Sequence, residues 1–179
     1  KPWQDPDRDA VFTASFTGVH VHRFIDGQWI RNRVTSGDPS NWPRSGSSEI
    51  EVGHLGNQTF LTTIEPWHGD QVVVYRENDG TWIRQVIDTI DSGHTIVTAD
   101  FDRDGRDEIV TGGRGETRSL YLYTATDPDG VTWSRQVMDD GDMSPSGCAV
   151  EDLNGDARLD LVCIGGGTAN LKWYENITP

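Results

Sequence analysis

The feature that most constrains this chain is an acidic segment that occurs twice, at residues 100–110 and 152–162. In both copies an oxygen-bearing side chain stands at the first, third, fifth and ninth positions, and an apolar run follows. Hard oxygen ligands that alternate along a tight loop are the ligands that Ca²⁺ prefers. The spacing therefore predicts one calcium loop in each copy. The expected ligands are Asp100, Asp102, Asp104 and Glu108 in the first copy, and Asp152, Asn154, Asp156 and Asp160 in the second.

This segment differs from the calcium loop of an EF-hand. An EF-hand loop needs a bidentate Glu at its twelfth position and a helix on each side. The twelfth positions here are Thr111 and Cys163, and both stand in apolar runs. The pattern predicts a loop between two β-strands, in which Ca²⁺ is structural because it neutralises carboxylates that otherwise repel one another. The corresponding stretch at residues 50–64 has few carboxylates, so we expect no Ca²⁺ there.

A second repeat sets the period of the fold. Similar segments surround Trp29, Trp82 and Trp133, about every 50 residues, and each follows a strand with alternating apolar positions. Turn residues separate these short strands, and nothing in the pattern predicts a helix. Four antiparallel strands, a to d, repeated at this interval predict an all-β fold, the β-propeller. In the clearest unit these strands are residues 94–99, 108–112, 119–124 and 132–138. We interpret the Trp series as packing between blades.

The number of strands predicts about three and a half blades in one segment, residues 1–179. The first blade rests on an alignment of residues 7–13 with 105–111, which places the start of the chain inside an a–b loop. Such a strip has open edges, which a longer polypeptide, a second chain or a small open array would explain. We favour the longer polypeptide, in which this strip is part of a seven-bladed ring. In either of the first two explanations the ring needs further blades, from the same polypeptide or from another chain. The approximate blades are 5–38 (strands b to d), 47–89, 91–140 and 142–179 (strands a to c).

Composition narrows the classes of partner and compartment. The net charge of −14 argues against nucleic acid, whose phosphates require stripes of Lys and Arg. No apolar run approaches the roughly 20 residues of a membrane span. Seven Trp, 20 Gly and two Met favour a secreted, extracellular β-protein. Cys148 and Cys163 flank the second acidic segment, and either a disulfide or two buried thiols fits their spacing.

Strand direction sorts the candidate catalytic residues. The a–b loops lie on one face of a propeller, while the b–c loops and d–a connections lie on the other. His68, His94 and Arg114 are therefore expected on one rim, opposite the acidic loops. A His base beside an Arg or a divalent cation suits β-elimination next to a carbonyl or carboxylate, and two His nitrogens also favour a second divalent metal.

Structural roles compete with these assignments. In the structural interpretation, His68 is a surface turn residue and His94 is a hydrogen-bonded residue of the channel. His20 and His22 share one face of a strand, where exposed or packing roles are favoured over metal binding. His54 stands in the a–b loop without carboxylates, on the opposite face, and is set aside.

Two resemblances follow from these motifs. The pattern Asp-x-Asp-x-Asp-Gly-x-x-[Asp/Glu]-[Ile/Leu]-Val with its Trp strand resembles the FG-GAP/VCBS-like repeat of Ca²⁺-binding propellers. Residues 66–75, 92–94 and 170–176 are similar to the seven-bladed propeller of the aldos-2-ulose dehydratase family and of related polysaccharide lyases. The resemblance implies a carbohydrate-active lyase or dehydratase that acts by β-elimination on a uronate-containing or keto-sugar substrate. The alternative is a non-catalytic, calcium-stabilised propeller that binds carbohydrate or protein, as lectins and adhesion modules do.

Overall fold

A computed structural model describes residues 9–40 and 42–178, and the chain forms fourteen β-strands there. None of the described residues forms a helix that could cross a membrane. The strands are β1 (Val11–Ser15), β2 (Gly18–Ile25), β3 (Gln28–Thr35), β4 (Ser48–Leu55), β5 (Gln58–Glu65), β6 (Gln71–Asn78), β7 (Thr81–Thr89), β8 (Gly93–Ala99), β9 (Glu108–Gly113), β10 (Leu120–Ala125), β11 (Trp133–Asp139), β12 (Pro145–Glu151), β13 (Asp160–Gly165) and β14 (Asn170–Tyr174).

These strands form four antiparallel sheets in which sequence neighbours are also spatial neighbours. The sheets are β1–β3, β4–β7, β8–β11 and β12–β14. This arrangement confirms the predicted all-β propeller of about three and a half blades. In the alignment of residues 7–13 that placed the start of the chain in an a–b loop, residues 7 and 8 lie outside the described residues.

Alternating side chains explain why the sheets stack. Along β5, Phe60 and Ile64 face the third sheet, while Leu61 faces the first. Both faces are therefore apolar, and one hydrophobic cluster fills each of the three gaps between sheets. Strands β4, β8 and β12 are the edge strands that pack against one another, so they surround the axis of the strip.

The Trp series packs between sheets at two of its three positions. Trp133 lies against Phe60 of the preceding sheet, with ring centroids 5.5 Å apart. Trp82 packs on the cluster between the first and second sheets. Trp29, on the first sheet, is 62% exposed and has Phe24 of its own sheet as its ring neighbour, at 5.4 Å. The interpretation as blade packing is thus confirmed for Trp82 and Trp133.

A polar contact links consecutive sheets and recurs at each interface. A Tyr on the third strand of a sheet bonds to the end of the outer strand of the preceding sheet. The Tyr123 hydroxyl donates to Asp88 Oδ2 at 2.8 Å, and the Tyr174 hydroxyl donates to Asp139 Oδ2 at 2.8 Å. Tyr75 occupies the same place, where it accepts from Thr35 Oγ1 at 3.2 Å.

Each of these contacts also contains an ion pair. Arg135 binds Asp88 at 3.0 Å, and Lys172 binds Asp139 at 2.7 Å. Beside the first interface the ion pair lies within the second sheet, and its carboxylate is Glu65, which is fully buried. It accepts from the Tyr75 hydroxyl at 2.6 Å and from Arg84 Nε at 2.8 Å. The contacts that join each sheet to the one before it are the Thr35–Tyr75 hydrogen bond and the ion pairs of Asp88 and Asp139.

Removing one of these hydroxyls is expected to weaken an interface measurably. Tyr123→Phe should lower the free energy of unfolding by about 1–2 kcal/mol, since Asp88 loses a donor but keeps Arg135. Urea denaturation checks this value. Tyr121→Phe on the same strand is the control, because its hydroxyl makes no hydrogen bond to the described residues. Equal losses in both variants would contradict a specific role for the Tyr123 contact.

Candidate functional site

The strand turns separate two faces of the strip, as strand direction predicted. On the acidic face, the a–b turns touch one another: the Gly56 N–H donates to the Gly105 carbonyl at 3.0 Å. On the opposite face, which we call the histidine rim, the b–c turns and d–a connections meet. There the Gly93 N–H donates to the Gly69 carbonyl at 2.8 Å, and the Arg114 N–H donates to the Ser92 carbonyl at 2.9 Å.

The two acidic loops share one backbone shape. Their fourth and sixth positions both have positive φ, at Arg103 (64°) and Gly105 (85°) in the first loop. In the second loop the same positions are Gly155 (79°) and Ala157 (67°). The left-handed conformation is favourable for Gly and less so for other residues. The first loop has its Gly at the sixth position and the second loop has its Gly at the fourth, so each loop has another residue at its other positive-φ position.

In the first acidic loop, three carboxylates converge. One oxygen from each of Asp100, Asp102 and Glu108 lies within 4.8 Å of the others. Glu108 is only 3% exposed, and burial together with the neighbouring carboxylates raises its pKa to about 7. Asp100 Oδ1 is buried and has no hydrogen-bond partner in the described part of the chain. These hard oxygens fit Ca²⁺, which would satisfy that orphaned oxygen.

Asp104 lies outside this convergence. Its Oδ1 accepts the Arg106 N–H at 2.8 Å, which shapes the turn. The Asp102 carboxylate accepts the Asp104 N–H at 3.1 Å in a similar way. Three of the four predicted side chains thus meet at one point, and the fourth stands beside it.

The second acidic loop has the same spacing but a different hydrogen-bond pattern. Asp160 is fully buried, and its two oxygens accept the Leu153 N–H at 3.1 Å and the Asn176 N–H at 2.8 Å. Asp152 accepts the Gly155 N–H at 2.7 Å, and Asp156 is paired with Arg158. Donors from the protein already satisfy these oxygens, so this loop offers a cation less than the first loop does.

A disulfide closes the second loop. Cys148 and Cys163 are direct partners across β12 and β13, with Cα atoms 4.2 Å apart, and their sulfurs are bonded. Of the two alternatives that the spacing allowed, the structure contains the disulfide. The cross-link ties together the two strands from which the loop projects.

On the histidine rim, two imidazole rings lie face to face. His68 stands in the β5–β6 turn with a φ of 55°, and its N–H donates to Ser48 Oγ at 3.1 Å. Its ring stacks on that of His94, at the start of β8, with centroids 5.6 Å apart. The structure thus brings together two predicted residues from adjacent sheets.

His94 is the more enclosed of the two histidines. Its Nδ1 is buried and has no hydrogen-bond partner among the described residues. Burial, the Arg114 guanidinium and His68 all lower the pKa of His94 below its usual 6.5. The side chain is therefore neutral at pH 7, and a neutral imidazole has one ring nitrogen that can accept a proton. The influence of Arg114 on this pKa places the third predicted residue near the pair.

Within the described residues, the histidine pair lacks a third ligand for a metal. Among the described residues, only the first acidic loop brings together three side-chain atoms of Asp, Glu, His or Cys that could hold a metal ion.

A pocket of about 760 Å³ opens beside His68. Its lining includes Arg44, Trp67, His68, Asp70, Asp91, Tyr121 and Arg135 but neither His94 nor Arg114, so the pair borders this space through His68.

Residues 100–163, which contain both acidic loops, match the family model of the FG-GAP-like repeat. The chain resembles an FG-GAP-like propeller. It is also 28% identical over 153 residues to aldos-2-ulose dehydratase of Phanerodontia chrysosporium. That match covers 71% of this chain but 17% of the length of the dehydratase. Both predicted resemblances are confirmed.

The remaining histidines of this propeller make structural contacts. Arg31 Nη2 donates to His20 Nε2 at 2.9 Å, and His22 shares a hydrogen bond with Thr13 at 3.0 Å. His54, on the acidic face, lies 3.3 Å from Asp107 of the neighbouring loop. Packing and hydrogen bonding explain all three side chains.

His20 gives the fold a specific pH dependence. It is 6% exposed, and burial and the Arg31 charge lower its pKa below 6.5. The unfolded chain therefore binds the proton more readily, so the contribution of His20 to stability is present above pH 6.5 and is lost as the pH falls below it. Urea denaturation at pH 7.5 and 5.5 should show a larger acid loss for the wild type than for His20→Gln. Parallel losses would show that His20 does not contribute.

Sequence reasoning missed three aromatic side chains on the histidine rim. They are Phe16 in the β1–β2 turn, Trp42 in the β3–β4 connection and Trp67 in the β5–β6 turn. Ring centroids are 4.9 Å apart for Phe16–Trp42, 6.0 Å for Phe16–Trp67 and 4.6 Å for Trp67–His68. The available signal was that Trp42 and Trp67 stand outside the Trp period that packs the blades.

Proposed function

We propose that this propeller is a secreted, carbohydrate-active lyase or dehydratase whose reaction site is the histidine rim. The reaction is β-elimination on a uronate-containing or keto-sugar substrate. The observation that carries this proposal is the stacked His68–His94 pair, with one buried, unengaged ring nitrogen and the Arg114 charge nearby. The similarity to aldos-2-ulose dehydratase supports the keto-sugar class.

The rim residues supply the steps that such a reaction needs. A neutral His94 takes the proton from the carbon next to the carbonyl or carboxylate of the sugar. The electron pair of that C–H bond forms a carbon–carbon double bond as the C–O bond at the β carbon breaks. The leaving oxygen takes a proton from solvent or from His68, and departs as water or as the cut end of a sugar chain.

Arg114 has an electrostatic role in this scheme. Removal of the proton places negative charge on the carbonyl or carboxylate oxygen of the substrate. A guanidinium beside that oxygen stabilises the charge as it develops. Together with burial, which is the larger cause, the same positive charge lowers the pKa of His94 and keeps its imidazole neutral. One residue thus prepares the base and stabilises the intermediate.

Calcium has a structural role in the proposal. Asp100, Asp102 and Glu108 would hold Ca²⁺ in the first acidic loop, with Asp104 beside them. The ion would relieve repulsion among buried carboxylates and fix the β8–β9 turn. The second loop, already satisfied by protein donors, would bind Ca²⁺ more weakly.

Secretion is supported by the disulfide, since such bonds persist in oxidising compartments. Extracellular modules commonly use Ca²⁺ sites of roughly 10⁻⁴–10⁻³ M affinity, which the calcium outside cells can fill. Both features agree with the composition that favoured an extracellular protein.

The test is the ultraviolet absorbance of the unsaturated product during incubation with polygalacturonate or with an aldos-2-ulose sugar. The proposal predicts a rise that depends on His94 and that falls away only below pH 6.5, where a base with a lowered pKa begins to be protonated. No rise with either substrate would refute the elimination.

A binding module is the second candidate function, and the exposed aromatic rings of the rim favour it. Glycan binding without any unsaturated product would establish this alternative. In that case the histidine pair would contact the sugar without transforming it.

A further inference from the structure

The aromatic side chains Phe16, Trp42 and Trp67 form a connected row that we call the aromatic row. We infer that this row is a binding subsite for a polysaccharide chain, which it guides to the histidine pair. The inference rests on the proposed function for the identity of the reaction site. It extends that function by assigning a polymer, in preference to a free monosaccharide, as the ligand.

The row is exposed where apolar rings are usually covered. Trp42 is 70% exposed, Phe16 39% and Trp67 38%. All three project from turns, where no strand pairing requires an aromatic residue. Contiguous exposed apolar surface on a soluble protein marks a site of interaction. The three rings are therefore accessible to a ligand.

The row is also continuous with the proposed reaction site. From Trp42 each ring contacts the next, through Phe16 and Trp67 to His68, and then to His94. No step in this path exceeds 6.0 Å between ring centroids. Three successive centroid distances, of 4.9, 6.0 and 4.6 Å, connect Trp42 with His68 along the row. A chain of sugars lying along the rim would contact every ring in turn.

The geometry of the rings suits sugars more than a flat protein surface. Phe16 lies edge-on to both Trp42 and Trp67, with interplanar angles of 87° and 73°. The row thus presents separate ring faces at changing angles. Pyranose rings offer small apolar CH faces at intervals, and aromatic faces bordered by polar groups are the usual lining of such ligand sites.

Polar groups stand beside the row where sugar hydroxyls and carboxylates would lie. The pocket next to Trp67 also contains Arg44, Asp70 and Asp91. Arg44 offers a guanidinium to a uronate carboxylate, while the two acids accept hydrogen bonds from hydroxyls. The mixture of apolar rings and polar neighbours matches an amphipathic sugar chain.

The test compares binding of polygalacturonate by the full chain and by Trp42→Ala and Phe16→Leu, using affinity electrophoresis. Each row variant should weaken binding by roughly threefold to tenfold, the range expected from loss of an aromatic contact. Trp29→Ala is the matched control, because Trp29 is 62% exposed on the first sheet and contacts no ring of the row. Wild-type affinity in both row variants would overturn the inference.

Two further measurements separate this inference from the proposed function and from other ligands. In the absorbance assay, Trp42→Ala should raise KM for the polymer more than KM for a free aldos-2-ulose; equal changes would overturn the polymer assignment. If no substrate yields product, the proposed function fails, but affinity electrophoresis still tests whether the aromatic row binds the polymer. If the row variants lose self-association, measured by light scattering, but keep polymer binding, the row is a protein interface.

Discussion

Replacement of His94 by Gln is expected to lower kcat for elimination by roughly 10²–10⁴-fold, the usual contribution of a general base. Gln is close to His in size but does not take up a proton in this pH range. The His94 Nδ1 has no hydrogen-bond partner in the described residues, so folding loses little when the ring is replaced. The melting temperature should therefore stay close to that of the wild type. The rate of absorbance increase and a thermal melt, on the same preparations, measure both quantities.

The acidic face provides a matched control for this substitution. His54→Gln makes the same change on the opposite face, at a side chain whose partner is Asp107. We expect its kcat to equal that of the wild type. If His94→Gln retained full activity, or if both variants lost activity together, the histidine rim would not be the site of the reaction.

Removal of calcium is expected to have the largest effect on stability. With free Ca²⁺ at 100 times its dissociation constant, binding adds about 2.7 kcal/mol to the free energy of unfolding. For a chain of this size that corresponds to a melting temperature about 5–10 °C higher. EDTA should therefore lower the melting temperature by this amount, and added Ca²⁺ should restore it. The physical reason is the convergence of Asp100, Asp102 and Glu108, which repel one another when no cation is bound.

The two acidic loops supply paired variants for this prediction. Asp100→Asn removes a carboxylate from the converging set, so the melting temperature should lose most of its response to Ca²⁺. Asp152→Asn makes the same change in the loop whose oxygens accept hydrogen bonds from the protein, and should leave most of that response. Indifference of the wild type to both EDTA and Ca²⁺, or loss of the response in Asp152→Asn alone, contradicts the assignment of the first loop.

The sequence was sufficient to predict the blades because their signals are local and repeated. Alternation along each strand and the Trp period identify strands, and strand direction then assigns each loop to a face. This is why His68 and His94 could be placed on one rim from the sequence alone. Their stacking at 5.6 Å required coordinates, since it depends on how two adjacent sheets rotate against each other.

Features that depend on partners outside a repeated motif were beyond the sequence. The spacing of the acidic residues is the same in both loops, but Arg158 and the Asn176 N–H satisfy the second loop from outside its ligand positions. The aromatic row draws its members from three separate turns. The bond between Tyr123 and Asp88 likewise joins strands of different sheets. No repeat in the sequence relates the members of the aromatic row.

The most direct test of the account is the fate of the hydrogen that the rim is proposed to remove. Nuclear magnetic resonance can follow the α-hydrogen of an aldos-2-ulose in deuterated water, with the wild type, with His94→Gln and without protein. The account predicts that the wild type accelerates loss of this signal over the blank and that His94→Gln does not. If the signal persists with the wild type, or disappears equally fast with His94→Gln, His94 does not act as the base.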